Sequence, residues 1–284
     1  MAFVIIAVLC SVTVSVLIKW ARMKSINYLQ LIVWNYPVAL LMTYLVLHPE
    51  LKSWTADLPW ELYLPLGFLL PSIFVCTALS IRYGGIVKTE IAQRLSLFIP
   101  LLAAYFWMGE VVMPEKFVGI GVGLIAIGLC LDWKGGRDAQ GNAARLYPTL
   151  VLLGMGLIDI LFKQIAQFET VSYMSSLWIV FVLAMIVALI FLCYLLWVKK
   201  ERLDRRAMAL GAVLGLFNFG NIVFYMEAHR ALPNSPSLVF TAMNLGVIAL
   251  GAIVGVVVFQ EKLSFFNKIG VILAIISVLL IAYL

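Results

Sequence analysis

The sequence predicts an all-α integral membrane protein of ten transmembrane helices, arranged as two inverted-topology five-helix repeats. Three observations predict it: an apolar composition, ten runs long enough to span a bilayer, and a set of residues that recurs in the same order in the two halves. Of the 284 residues, 64% are hydrophobic and only 12% charged, more apolar surface than a soluble domain of this size could cover. The net charge of +6 is the basic excess that a membrane protein places in its cytoplasmic loops, so no nucleic-acid partner is expected. The expected partners are the lipid bilayer and a small-molecule substrate, with the protein a monomer or a homodimer. Cys10, Cys76, Cys130 and Cys193 stand in apolar runs without CxxC or Cys/His clustering. They read as small hydrophobes, and no disulfide, metal or cofactor is expected.

A hydrocarbon core about 30 Å thick takes roughly 20 apolar residues in a helix. Such runs fall at about 2–19, 28–47, 62–82, 87–108, 115–132, 146–166, 172–198, 207–230, 236–259 and 266–284. The first places its positive charges, Lys19, Arg22 and Lys24, after the apolar stretch and has no basic residues before it. It therefore reads as a retained span rather than a cleaved leader. The Gly- and charge-rich stretch 134–145 divides the chain into residues 1–133 and 146–284, five runs each.

The halves match in three places. SVLIKWA faces DILFKQIA, setting Lys19 opposite Lys163. SIRYGG faces AHRALP, setting Arg82 opposite Arg230. GEVVMPEKFVG faces QEKLSFFNKIG, setting Glu110 and Gly119 opposite Glu261 and Gly270. Because five is odd, a second copy enters the membrane from the opposite side, which gives a pseudo-twofold axis in the membrane plane and the usual basis of alternating access. Loops after the odd-numbered runs carry fifteen of the Lys and Arg residues. The other loops carry four, Lys52, Lys116, Lys163 and Arg230, and Arg94 lies inside a run. This bias puts the odd-numbered loops in the cytoplasm and both termini outside, in what reads as a bacterial inner membrane.

Ten runs in two inverted fives, each five closing its fourth run on Glu-x8-Gly (WMGEVVMPEKFVG and VFQEKLSFFNKIG), resemble the EamA-like branch of the drug/metabolite transporter superfamily over essentially the whole chain. The resemblance implies a carrier of small polar or amphipathic metabolites such as amino acids, often exported, with a central cavity lined by runs one to four and six to nine. Runs five and ten would be peripheral. Many relatives place both termini in the cytoplasm, where the charges of this chain place them outside.

Run four carries KTEIAQRLSLFIP, with an acid, an amide and a guanidinium where hydrocarbon should be. Helical spacing puts Glu90, Gln93 and Arg94 on one stripe. A mid-membrane charge costs about 2.5–3.5 kcal/mol on insertion scales, so the stripe is expected to face the protein interior or a water-filled cavity. Arg94 would offer its planar fork to a carboxylate or phosphate, with Glu90 holding it or meeting a substrate amine. A Glu90–Arg94 ion pair near the interface is the structural alternative. Arg94 keeps its proton, so proton coupling falls to Glu90, or to Asp159, which pairs with Lys163 at i, i+4. Pro100 leaves the Ser96 carbonyl without its helical donor and predicts a kink beside the site.

Other polar faces point the same way. Asn218, Asn221 and Tyr225 share a face with Gly215, and Asn244 shares one with Ser237 and Thr241. Each is a candidate for substrate contact, with interhelical hydrogen bonding as the competing role. Ser11, Ser15 and Lys19 form a stripe on run one, where Lys19, like Lys163, reads as a side chain snorkelling to the interface. Trp34 and Trp178 are candidates for stacking on substrate, with packing or an interfacial belt as the competing role. Glu227, His229 and Arg230 read as a gate or a solvated edge. Gly119/Gly123, Gly211/Gly215 and Gly251/Gly255 permit close helix approach. The expected function is secondary transport. The alternatives are a membrane-embedded lipid-modifying enzyme, for which His48 and His229 lie in no recognisable motif, and a channel, for which no filter sequence is evident.

Overall fold

The computed structural model describes residues 2–49, 58–96, 98–106, 116–130, 139–166, 171–231 and 236–283, and every regular element among them is a helix. These are α1 (Ala2–Met23), α2 (Tyr28–Leu47), α3 (Trp60–Gly84), α4 (Ile86–Leu95), α5 (Phe98–Phe106), α6 (Lys116–Cys130), α7 (Ala139–Ala166), α8 (Tyr173–Cys193), α9 (Arg205–Ala231), α10 (Pro236–Ile253) and α11 (Phe265–Tyr283). A π-helical turn extends α8 through Tyr194–Val198 and another extends α10 through Val254–Val258.

Polarity is arranged inside out relative to a soluble protein. Asn35, Thr43, Thr77, Ser80 and Glu90 are buried, while Trp197, Phe265, Val257 and Leu64 face outward with 57–77% of their surface exposed. Large apolar side chains on the outside need a hydrocarbon solvent. Among the described residues, six helical stretches are long and apolar enough to cross a membrane: Ala2–Met23, Tyr28–Leu47, Trp60–Gly84, Gly141–Phe162, Tyr173–Val198 and Arg205–Ala228. Phe117–Ala126, Ala242–Val258 and Phe265–Leu280 are shorter apolar helices.

The described helices fall within the apolar parts of the sequence, with two departures from the runs read there. Run four is not one helix: α4 stops at Leu95 and α5 starts at Phe98. The Ser96 carbonyl, which Pro100 cannot donate to, instead accepts the Ile99 amide at 2.9 Å, and Ser96 Oγ donates to the Gln93 carbonyl at 2.7 Å. The expected kink is thus a full interruption, satisfied locally. The other departure is α7, which begins at Ala139 inside the stretch read as a linker and carries Pro148 through its early turns.

Local sequence sets the other ends. Asn27 caps α2, its side chain accepting the Leu29 and Gln30 amides, and Ser172 caps α8 by accepting the Ser175 amide at 3.2 Å. Between α3 and α4 the chain turns on Gly85, whose φ of +89° is the left-handed region that a side chain disfavours.

Packing joins the two halves of the chain. α1 and α2 pack on α9, α3 on α7 and α8, α2 on α8, α1 and α4 on α10, α4 and α5 on α7, and α6 on α11. The α2–α9 contact is close because α9 offers glycines. A Cβ on Gly215 would stand 2.7 Å from the Asn35 carbonyl oxygen and 3.0 Å from Val38 Cβ, and Gly211 faces the Leu31 carbonyl in the same way. The backbone cannot retreat as a flexible side chain would. Gly215→Val is therefore expected to cost roughly 1–3 kcal/mol of overpacking, read as a lowered melting temperature in detergent. An unchanged melting temperature would show that α2 and α9 can separate freely.

Candidate functional site

Two adjoining cavities occupy the centre. One, of about 520 Å3, is lined by Gln93, Arg94 and Ser96 of the broken helix, Asp159 of α7, Tyr173 of α8, Asn221, Tyr225 and Arg230 of α9, and Asn244 of α10, with Met155, Met226 and Met243 between them. The other, of about 290 Å3, shares Gln93, Arg94, Tyr173 and Asn221 and continues between apolar and aromatic walls that include Leu70, Phe74, Phe162 and Phe181. A charged chamber therefore opens into an apolar one, with Arg94 at the junction.

Arg94 stands there because α4 is tied to α1 as a ladder. The residues Lys19, Ser15 and Ser11 descend one face of α1 at four-residue steps; Ser15 and Ser11 meet Glu90 and Arg94 on α4, and Lys19 reaches the Ile86 amide through Glu261. Arg94 Nη2 donates to Ser11 Oγ at 2.7 Å, Ser15 Oγ donates to Glu90 Oε1 at 2.5 Å, and Lys19 Nζ pairs with Glu261. The guanidinium makes no salt bridge among the described residues, and its Nε is buried without a partner. Asp159 and Tyr225 lie near enough to interact with it electrostatically. Arg94, Asp159 and several amide and hydroxyl groups thus converge on a space large enough for a small metabolite, with Arg230 at its rim.

The expected residues divide. Arg94, Gln93, Asn221, Tyr225, Asn244 and Asp159 line the first cavity, and Asn218 lines the second while donating to Asn35 Oδ1 at 3.2 Å. Glu90 lines neither cavity: it is 1% exposed and turned to Ser15, its Cγ against the space where a Cβ on Gly251 would stand. Neither Trp34 nor Trp178 lines the cavities. Trp34 packs at the α2–α9 contact, and Trp178 packs with Tyr63, Ile179 and Val180. Arg230 stands at the rim of the first cavity, bonded to Glu227 at 2.7 Å. Glu110 and the side chains of Lys163, Ser237, Thr241 and His229 lie outside the described residues. Tyr173 is a cavity residue that sequence reasoning misses, since a tyrosine directly after a helix cap reads as an interfacial anchor.

At the far end of the ladder the structure closes. The Glu261 carboxylate pairs with Lys19 and accepts the Ile86 amide at 2.7 Å and the Val87 amide at 3.3 Å, the first donors of α4. It sits in a cradle of two glycines, since a Cβ on Gly85 or on Gly255 would fall within 2.9 Å of it. Lys19 also lies 5.0 Å from the centre of the Phe259 ring. An anion at a helix N-terminus with a cation beside it is favourable on both counts, and the snorkelling read for Lys19 is instead an interior ion pair. Two turns of α4, about 10 Å, separate this contact from Arg94.

Residues 146–283 match the EamA-like transporter family. An uncharacterized protein of Haemophilus influenzae is 38% identical over 293 aligned residues, covering 99% of this chain and 97% of its own length. A crystal structure with 14% identity shares the fold over 97% of this chain and 96% of its own, with a TM-score of 0.57. With apolar helices that cross a membrane and a family match over its second half, the chain is an integral membrane protein that belongs to the EamA-like transporter family of the drug/metabolite transporter superfamily.

Proposed function

We propose that this chain is a secondary transporter that exports a small zwitterionic metabolite of the amino-acid class by alternating access. The observation that carries the reading is Arg94, half-buried with its Nε enclosed, free of any salt bridge among the described residues, and lining a cavity that Asp159 also lines. A substrate carboxylate meets the guanidinium, a substrate ammonium meets Asp159, and an apolar side chain enters the chamber lined by Leu70, Phe74, Phe162 and Phe181. Asp159, inside the cavity, and Glu90, one turn from Arg94, are the candidate proton carriers.

The inverted-repeat reading draws support from the packing. Exchanging each helix for the one five runs further on turns α1–α9 into α7–α3, α2–α9 into α8–α3, and α1–α10 into α7 with α4 and α5. The pairs α2–α8, α4–α10 and α6–α11 map onto themselves, and all of these pairings are present. The charged cavity approaches the face that holds the start of α8 and the end of α9, while Glu261 and Lys19 bind α4 at the other. This asymmetry supports reading the structure as one of the two states that alternating access requires. The excess of Lys and Arg in the loops after the odd-numbered runs supports a cytoplasmic closed face with both termini outside.

The test is a melting-temperature screen of purified protein against amino acids, organic acids, sugars and nucleotides. A ligand at a hundred times its Kd stabilises the native state by about 2.7 kcal/mol. Zwitterions are expected to raise the melting temperature of the wild type and to lose that effect in Arg94→Ala. Stabilisation by sugars alone, or by amino acids equally in the variant, would refute the site.

A further inference from the structure

We propose that the groove between the C-terminal end of α1 and the N-terminal end of α9 is a binding site for an anionic phospholipid. It encloses about 410 Å3, with Lys24 and Arg206 at one end and Trp20, Ala209, Leu210 and Val213 along its walls. On α9 the sequence from Arg206 through Leu210 to Val213 follows one face for about 10 Å. On α1, Trp20 lies one turn before Lys24. Both helices therefore run from cation to hydrocarbon in the direction that a phospholipid runs from phosphate to acyl chain. Trp20 is 43% and Val213 42% exposed, and Lys24, Arg206 and Ala209 are exposed as well.

The cationic end is held in place. The fully enclosed Gln30 side chain donates to the Arg202 carbonyl and accepts the Asp204 amide, each at 2.9 Å, pinning the start of α9 to α2. Asn27 donates to Glu201 across the same junction. Of the acids there, Glu201 is engaged by Asn27, and Asp204 takes two N–H groups of Arg206, Nε and Nη2, at 3.2 Å. A guanidinium has five such donors, so three remain for a phosphate. Lys199, Lys200, Arg202 and Arg205 in the same connection add to the positive potential.

Charge confined to one end of an otherwise apolar groove selects the occupant. Basic pockets between membrane helices take lipid phosphates, and an indole at the same level is an interfacial anchor. A soluble anion would gain nothing from the Leu210–Val213 wall, and a zwitterionic lipid would gain little from a second cation. The site stands on the opposite side of α1 from the Ser11–Ser15–Lys19 stripe and is independent of the transport reading.

The test uses the full chain, delipidated in nonionic detergent and followed by native mass spectrometry and melting temperature. Phosphatidylglycerol is expected to remain bound and to stabilise, whereas phosphatidylethanolamine and glycerol 3-phosphate do neither. The double variant Lys24→Gln/Arg206→Gln is expected to weaken phosphatidylglycerol binding roughly thirtyfold. Val213→Trp fills the apolar end while leaving both cations, and is expected to weaken it as well, which guards against a double variant that fails to fold. Retention of phosphatidylethanolamine equal to phosphatidylglycerol, full stabilisation by glycerol 3-phosphate, or undiminished binding in both variants would overturn the proposal.

Discussion

Arg94→Ala is expected to lower transport in proteoliposomes by about 100-fold or more while leaving the amount and melting temperature of the unliganded protein close to wild type. Truncating one partner of a buried charge contact costs roughly 2–5 kcal/mol, and each 1.4 kcal/mol is tenfold. The loss falls on the loaded state because the empty protein asks little of this side chain. Among the described residues it donates one hydrogen bond, to Ser11, and makes no salt bridge. Arg94→Lys keeps the charge but not the planar fork, so an intermediate rate is expected. If Arg94→Ala instead removed folded protein in step with activity, the guanidinium would be a structural group and the cavity would need another anion receptor.

The second large effect concerns the closed end. Glu261→Gln is expected to destabilise the closed face by about 3 kcal/mol, the order of breaking a mostly buried ion pair, because Lys19 and the first amides of α4 lose their anion together. A two-state equilibrium then shifts on the order of 100-fold. On a cysteine-free background, Ser80→Cys reports this shift. Ser80 is buried against Thr89 of α4, their hydroxyls 2.7 Å apart, and should become labelled by a membrane-impermeant maleimide from that face. The charge swap Lys19→Glu/Glu261→Lys is expected not to restore closure. A simple ion pair survives reversal, but a lysine at position 261 would face the positive end of α4. Rescue by the swap would reduce the contact to an ordinary ion pair.

How much of this was legible depended on whether the information was local. The stripe on run four was legible because helical spacing is a property of neighbours, and the Ser11–Ser15–Lys19 stripe was legible for the same reason. That the two stripes mesh was not, since Ser15 and Glu90 are 75 residues apart. The spacing that grouped Glu90 with Arg94 therefore put both on the right side of the helix, yet left open that Glu90 would turn to α1 and Arg94 to the cavity. Lys19 and Glu261 were each noticed, one as a snorkelling side chain and one as a repeat marker, and only the fold shows them in contact. Pro100 announced a disturbance of the helix but not its extent. The short α4 follows from where the Ile99 amide found its acceptor. Trp34 and Trp178 illustrate the converse, for large rings in a membrane sequence carry no mark that separates a binding platform from a packed core.

The methionines of the central cavity have a consequence for selectivity. Met155, Met226 and Met243 stand among the polar residues of the charged chamber. Thioether side chains are unbranched, polarizable and free at three torsions, so they mould to unlike shapes at little cost. A pocket with fixed poles of charge and yielding sides sorts its cargo by the spacing of cation and anion far more than by outline. Under the proposed transport function, such a carrier is expected to be broad, accepting foreign compounds that mimic those two charges.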